Sequence, residues 1–201
     1  MRSHSARTRF LPVIVVISAL ALGGCASSPG GAGAGSPTAS ATPTESEPPS
    51  TPVVETTLSD DIDGTKVTPL AIVTDFPAPE GSTAGIHPVL IKVKLEAGDV
   101  YGGSVHPSVA SITRRNGNLD YITLGLGNPK ELVTAMSAAG YTPLQAVPAG
   151  KTQTGWIGAW LSDEVTEYDL VYNRNEGKVI GGSKNGETVP ASRSITPLTP
   201  R

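Results

Sequence analysis

The chain has 201 residues, enough for one ordinary domain plus an appended segment. Gly (23) and Pro (18) are abundant, aromatics make 4% and charged residues 16%, a composition too soft for one compact globule throughout. A single Cys excludes an intrachain disulfide and a Cys-based zinc site, and a net charge of −3 without a basic block argues against nucleic-acid binding driven by phosphate neutralisation.

The first element is a leader. Arg2, Arg7 and Arg9 precede an apolar run of 13 residues, Phe10 to Leu22. A spanning helix needs about 20 such residues, so the run has the size of a signal-peptide core. Leu22-Gly23-Gly24-Cys25 follows it and resembles a bacterial lipobox, with Leu three residues before the Cys and two small residues between. That resemblance implies a diacylglyceryl group on Cys25, cleavage before it, and residues 1–24 as a lipoprotein signal peptide. Losing three arginines would leave 12 basic and 18 acidic residues, a charge of −6. Two acyl chains, at about 0.8 kcal/mol per buried methylene, would hold such a protein on a bilayer.

Residues 25–57 read as the lipidated Cys followed by a disordered linker. From Ala26 to Thr57, 27 of 32 residues are Ser, Thr, Pro, Gly or Ala and none is aromatic, too little apolar surface to offset the entropy of ordering. As a flexible coil this segment would span roughly 30 Å, and as polyproline II about 100 Å. It reads as a stalk.

Residues 58–201 then read as the folded domain, large enough to stand without disulfides or metal. A strand is expected from near Thr65 to Phe76. In Val89–Glu96 the odd positions are apolar while Lys92, Lys94 and Glu96 face away, the pattern of a half-buried strand. Val105 to Arg114 forms a third, and Asn116-Gly117 predicts a tight hairpin into Leu119–Leu124. Asn128 as N-cap, Pro129 and Glu131 start one helix that Gly140 stops, expected to cross between sheets. Lys151 to Leu161 places Trp156, Gly158 and Trp160 on one side of a strand, and Tyr168, Leu170 and Tyr172 alternate in the next. Asn173 to Gly177 reads as a turn and Asn185-Gly186 as a second hairpin. Strands at this spacing predict an all-β, antiparallel β-sandwich with one inserted helix.

The segment Val147-Pro148-Ala149-Gly150-Lys151-Thr152-Gln153-Thr154-Gly155-Trp156, with Glu167-Tyr168-Asp169-Leu170-Val171-Tyr172 after it, carries a resemblance. It is similar to immunoglobulin-like domains of unknown function in Gram-positive, actinobacterial lipoproteins, akin to secreted immunogenic antigens of mycobacteria. The resemblance covers residues 64–175 and implies an immunoglobulin-like sandwich. On the residues alone, Pro148 and Gly150 turn the chain into a strand, and Gly155 and Gly158 permit close approach or a bulge. Trp156, Trp160, Tyr168 and Tyr172 read as mutually covering core residues rather than a ligand platform.

Motifs with chemical potential are few. Gly150-Lys151-Thr152 ends like a phosphate loop, but the first glycine of that pattern would fall at Gln145. His87 and His106, each followed by Pro, could join Asp60, Asp61 or Asp63 around zinc or copper, though a spacing of 19 fits no local ligand motif. Ser104 and His106 lack a nucleophile elbow, and Asp60-Asp61-Ile62-Asp63-Gly64 lacks the remaining ligands of a calcium loop and reads as a solvated strand entry. Lys92 and Lys94 read as solubility and edge protection. The expected function is a lipid-anchored, extracytoplasmic, non-catalytic interaction module without a cofactor. Its partners would be the membrane, through the anchor, and an envelope protein or glycan. A metal-binding protein using His87 and His106, or an envelope enzyme with a loop-built site, are the alternatives.

Overall fold

In the computed structural model the described residues are 48–116, 124–125 and 130–201. Cys25 with its lipobox, the linker to residue 47, most of the 119–124 strand and the Asn128–Pro129 helix start lie outside them. Among the described residues no helix is long and apolar enough to cross a membrane.

The elements in chain order are β1 (Thr51–Pro52), β2 (Leu58–Ser59), β3 (Lys66–Val73), β4 (Ile86–Glu96), β5 (Ser104–Val105), β6 (Ala110–Arg114), β7 (Leu124–Gly125), α1 (Lys130–Ala138), β8 (Val147–Pro148), β9 (Thr152–Ser162), β10 (Tyr168–Arg174), β11 (Gly177–Lys178), β12 (Thr188–Val189) and β13 (Ser192–Pro197). One antiparallel sheet runs β1-β3-β4-β9 with β2 also on β3, a second runs β13-β10-β6-β7, and β5-β8 and β11-β12 form two short ribbons. The described residues form an all-β sandwich with one α-helix.

The period-two pattern of β4 explains the core. Val89, Ile91, Val93 and Leu95 are fully buried against Ile157, Ala159 and Leu161 of β9 and against Ile112, Leu170 and Tyr172 of the second sheet. Leu90, on the other face of β4, joins a second core with Leu132, Met136, Phe76, Tyr141 and Trp156. The helix packs against the outer face of the first sheet and, standing between β7 of the second sheet and β9 of the first, carries the chain from one sheet to the other as expected. Its amphipathic stripe needs an apolar floor, and Leu90 with Trp156 supplies one. It ends as Gly140 predicts: φ is +84°, Tyr141 N–H donates to Met136 O at 2.9 Å and Gly140 N–H to Ser137 O at 3.2 Å, a Schellman closure.

Several expectations are corrected. The packed chain begins before Leu58: Thr51 and Pro52 pair with Ile72 and Ala71, and Val53 is fully buried. Among the Ser, Thr and Pro of that stretch, Val53 is the apolar residue that ties it down. The Val105–Arg114 strand is broken by a 3₁₀ turn at Pro107–Val109, because Pro107 cannot donate and the His106 ring caps Ser108 N–H. β4 lies between β3 and β9, so Lys92 and Lys94 protect no edge; Lys94 pairs with Glu96 at 2.9 Å. The aromatics split by face. Trp156 stacks edge-on against Tyr141 (4.9 Å), which meets Phe76 in the same manner (5.7 Å), while Tyr168 and Tyr172 sit in the sandwich core. Trp160 is half-buried. Gly155 and Gly158 serve close approach, since a Cβ would fall 2.7 Å from Leu144 Cα and 2.6 Å from Leu132 Cδ2 respectively.

Candidate functional site

The acidic entry to β3 is solvated at Asp61 and Gly64, as expected, but not at Asp60. Asp60 N–H donates to Thr65 O and Gly64 N–H to Asp60 O, each at 2.8 Å, closing a tight turn whose first side chain is driven inward. Asp60 is 1% exposed. Its Oδ2 accepts from Tyr172 OH (2.9 Å) and Arg174 Nε (2.8 Å), and its Oδ1 from Ile62 N–H (2.9 Å). Asp63 Oδ2 lies 3.4 Å from the same Nε, and Arg174 Nη1 donates to Pro190 O at 2.7 Å. Arg174 thus ties the 60–65 turn, the end of β10 and the strap before β13 together. Burial alone would raise the Asp60 pKa, but the bonds from Arg174, Ile62 and Tyr172 and the Arg174 charge outweigh it and hold the carboxyl at about 2. Burial first, then the bond to Asp60, pushes the Tyr172 phenol well up, so it stays protonated as a donor.

This network floors an open cleft of about 640 Å³, within the range of small-ligand sites. Asp63, Arg174 and Asn175 form its base. One wall is the loop from Gly98 through Tyr101, Gly102 and Gly103 into β5; the other is the β11–β12 hairpin with Lys178, Val179 and Ile180. The hairpin is latched to the loop at Tyr101 and the neighbouring Val100 carbonyl. Lys184 Nζ lies 4.6 Å over the Tyr101 ring and donates to Val100 O (3.3 Å), and Tyr101 OH donates to Glu187 (3.3 Å). Asn185-Gly186 closes the hairpin as expected, with Gly186 N–H donating to Val179 O at 2.9 Å. Ile180 is 95% exposed at its tip.

Sequence reasoning missed this site. Its signals were the paired glycines 102–103 and 181–182, and an Ile alone in a polar turn. The residues that were singled out lie elsewhere. His87 Nδ1 is 3.3 Å from Asp163 and its Nε2 3.2 Å from Tyr168 OH, which donates onward to Val165 O at 2.9 Å. His106 Nδ1 accepts from Ser108 OH (3.0 Å) and N–H (3.3 Å). The histidines therefore share no partner with one another or with Asp60, Asp61 or Asp63. Among the described residues no three His, Cys, Asp or Glu side chains are grouped to hold a metal. Ser104 lines the cleft, and the hydroxyl that bonds His106 is that of Ser108.

No family model matches the chain, and no curated protein matches it. Among solved structures it is similar to a Bacillus subtilis protein described as "a putative lipoprotein (ycdA)", at 14% identity and a TM-score of 0.41. That match covers 70% of this chain and 38% of the other, so the chain corresponds to well under two thirds of its neighbour's length.

Proposed function

We propose that the chain is a lipid-anchored, extracytoplasmic β-sandwich lipoprotein acting as a non-catalytic binding module, with the cleft between the β11–β12 hairpin and the 98–105 loop as its ligand site. The anchor rests on the only Cys of the chain falling at the lipobox position, Cys25. The immunoglobulin-like assignment rests on the Val147–Trp156 and Glu167–Tyr172 motifs, whose strands β9 and β10 lie in opposite sheets of a sandwich. The observation that carries the binding role is an open cleft built on a rigid floor: Arg174 is spent on Asp60, Asp63 and Pro190, so the base is fixed before any ligand arrives.

Asp60 itself lies beneath the cleft, outside its lining, and is committed to the fold through Tyr172, Arg174 and Ile62. The metal-binding alternative loses its support with the two histidines committed to different neighbours. The anchor is tested by Cys25→Ala with membrane fractionation: the wild type should sediment with membranes and the variant should be released or retained uncleaved in precursor form. Equal sedimentation of wild-type and variant protein at mature size would overturn the lipid anchor.

A further inference from the structure

Resting on that binding role, we propose that the cleft takes an extended peptide, laid main chain to main chain along the glycine wall with aliphatic side chains against Ile180. Three observations point to this ligand class. The first is the open backbone. Along the wall, the N–H groups of Tyr101, Gly102 and Gly103 have no acceptor among the described residues. Gly102 (φ +72°) and Gly103 (φ +79°) carry no side chain to shield them. Three bare donors in a row are a surface for carbonyl oxygens.

The second is the strand edges. β5 pairs with β8 alone and β11 with β12 alone. Both residues of β5 line the cleft and neither residue of β8 does; both residues of β11 line it too, together with Val189 of β12. Each strand of a two-stranded ribbon keeps one unpaired edge, which is the template for adding a further strand.

The third is the apolar rim. Ile180 (95% exposed) stands where a soluble surface has no use for it, and Val105 and Val179 continue the apolar lining inward. A saccharide fits less well. The ring available to stack on a sugar is that of Tyr101, and one of its faces is occupied by the Lys184 ammonium. Charge sets a further preference. Asp60 and Asp63 carry two negative charges against the one positive charge of Arg174 at the base, and Lys178, exposed on the wall with no ion pair among the described residues, brings the group to neutrality, so an uncharged peptide suits the cleft best.

The test uses a display library of random seven-residue peptides selected on the purified chain, followed by titration of the enriched synthetic peptide by NMR. Enriched sequences should carry aliphatic residues at alternate positions. The bound peptide should shift the amides of residues 100–105 and 177–180. Ile180→Ser should weaken binding at least tenfold with an unchanged melting temperature, since that side chain packs on nothing. N-methylation of alternate peptide amides should weaken binding by a similar factor. No enrichment, binding indifferent to both Ile180→Ser and N-methylation, or amide shifts produced only by a saccharide such as chitotetraose would overturn the proposal. Capture of a non-peptide ligand from the same cleft would leave the binding role standing while refuting the peptide.

Discussion

Replacing Asp60 by Asn tests whether the buried Asp60–Arg174–Tyr172 group holds the floor of the cleft. The carboxyl lies at about 2 against an ordinary 3.8, a difference worth about 2–3 kcal/mol of folding stability at neutral pH. Truncating one member of a buried pair costs about 3–5 kcal/mol when the other charge is stranded. Here Asp63 remains 3.4 Å from Arg174 Nε, and an Asn could still accept from Tyr172, so the low end applies, about 3 kcal/mol. For a domain of this size that is a fall in melting temperature of about 6–12 °C. The pH dependence has a definite sign. A carboxylate lowered in the fold contributes fully above its ordinary pKa and loses that contribution as pH falls through the folded value. The gap between wild type and Asp60→Asn should therefore be constant from pH 7 to about 5, narrow below pH 4 and largely close near pH 2. Urea unfolding of both proteins across this range measures it. A gap under 1 kcal/mol at pH 7, or one that persists undiminished at pH 2, refutes the network as described.

The helix layer and the latch make their own predictions. Leu132→Ala should cost about 2–5 kcal/mol in urea unfolding and alter the near-ultraviolet signal of Trp156, because Leu132 is fully buried in the second core. Gly155→Ala should cost more than Gly158→Ala: the first new methyl meets the backbone of Leu144, the second the movable end of the Leu132 side chain. Tyr101→Ala should raise amide exchange selectively in residues 177–189 while leaving the unfolding midpoint nearly unchanged, since that ring latches the hairpin from the surface. Uniform exchange gains across both sheets would contradict a local latch.

How much was legible from the residues follows from which forces are local. The alternation in Val89–Glu96 reports on the residue's own face, so β4 and its inward side were readable, as was the Gly140 helix stop, whose positive φ is a property of one residue. What alternation could not say is that Leu90 is also buried, because that depends on α1 arriving from 40 residues downstream. Asp60 was misread for the same reason. An Asp-rich turn resembles a solvated loop until Tyr172 and Arg174, more than 100 positions away, come to meet it. The cleft depends on two short ribbons of two-residue strands, and elements of that length leave no periodic trace. His87 and His106 drew notice as metal-ligating residue types, yet each is satisfied by a near neighbour in the fold, Asp163 and Tyr168 for one and Ser108 for the other.

The binding role is tested most directly by photo-crosslinking in the intact envelope, with a photoreactive residue placed at position 180 in the cleft and, as control, at exposed Glu164. A discrete adduct from position 180, absent from 164 and lost on competition with excess soluble domain, is the predicted result. Identical adduct patterns from the two positions, or none from position 180, would contradict a ligand site at the cleft.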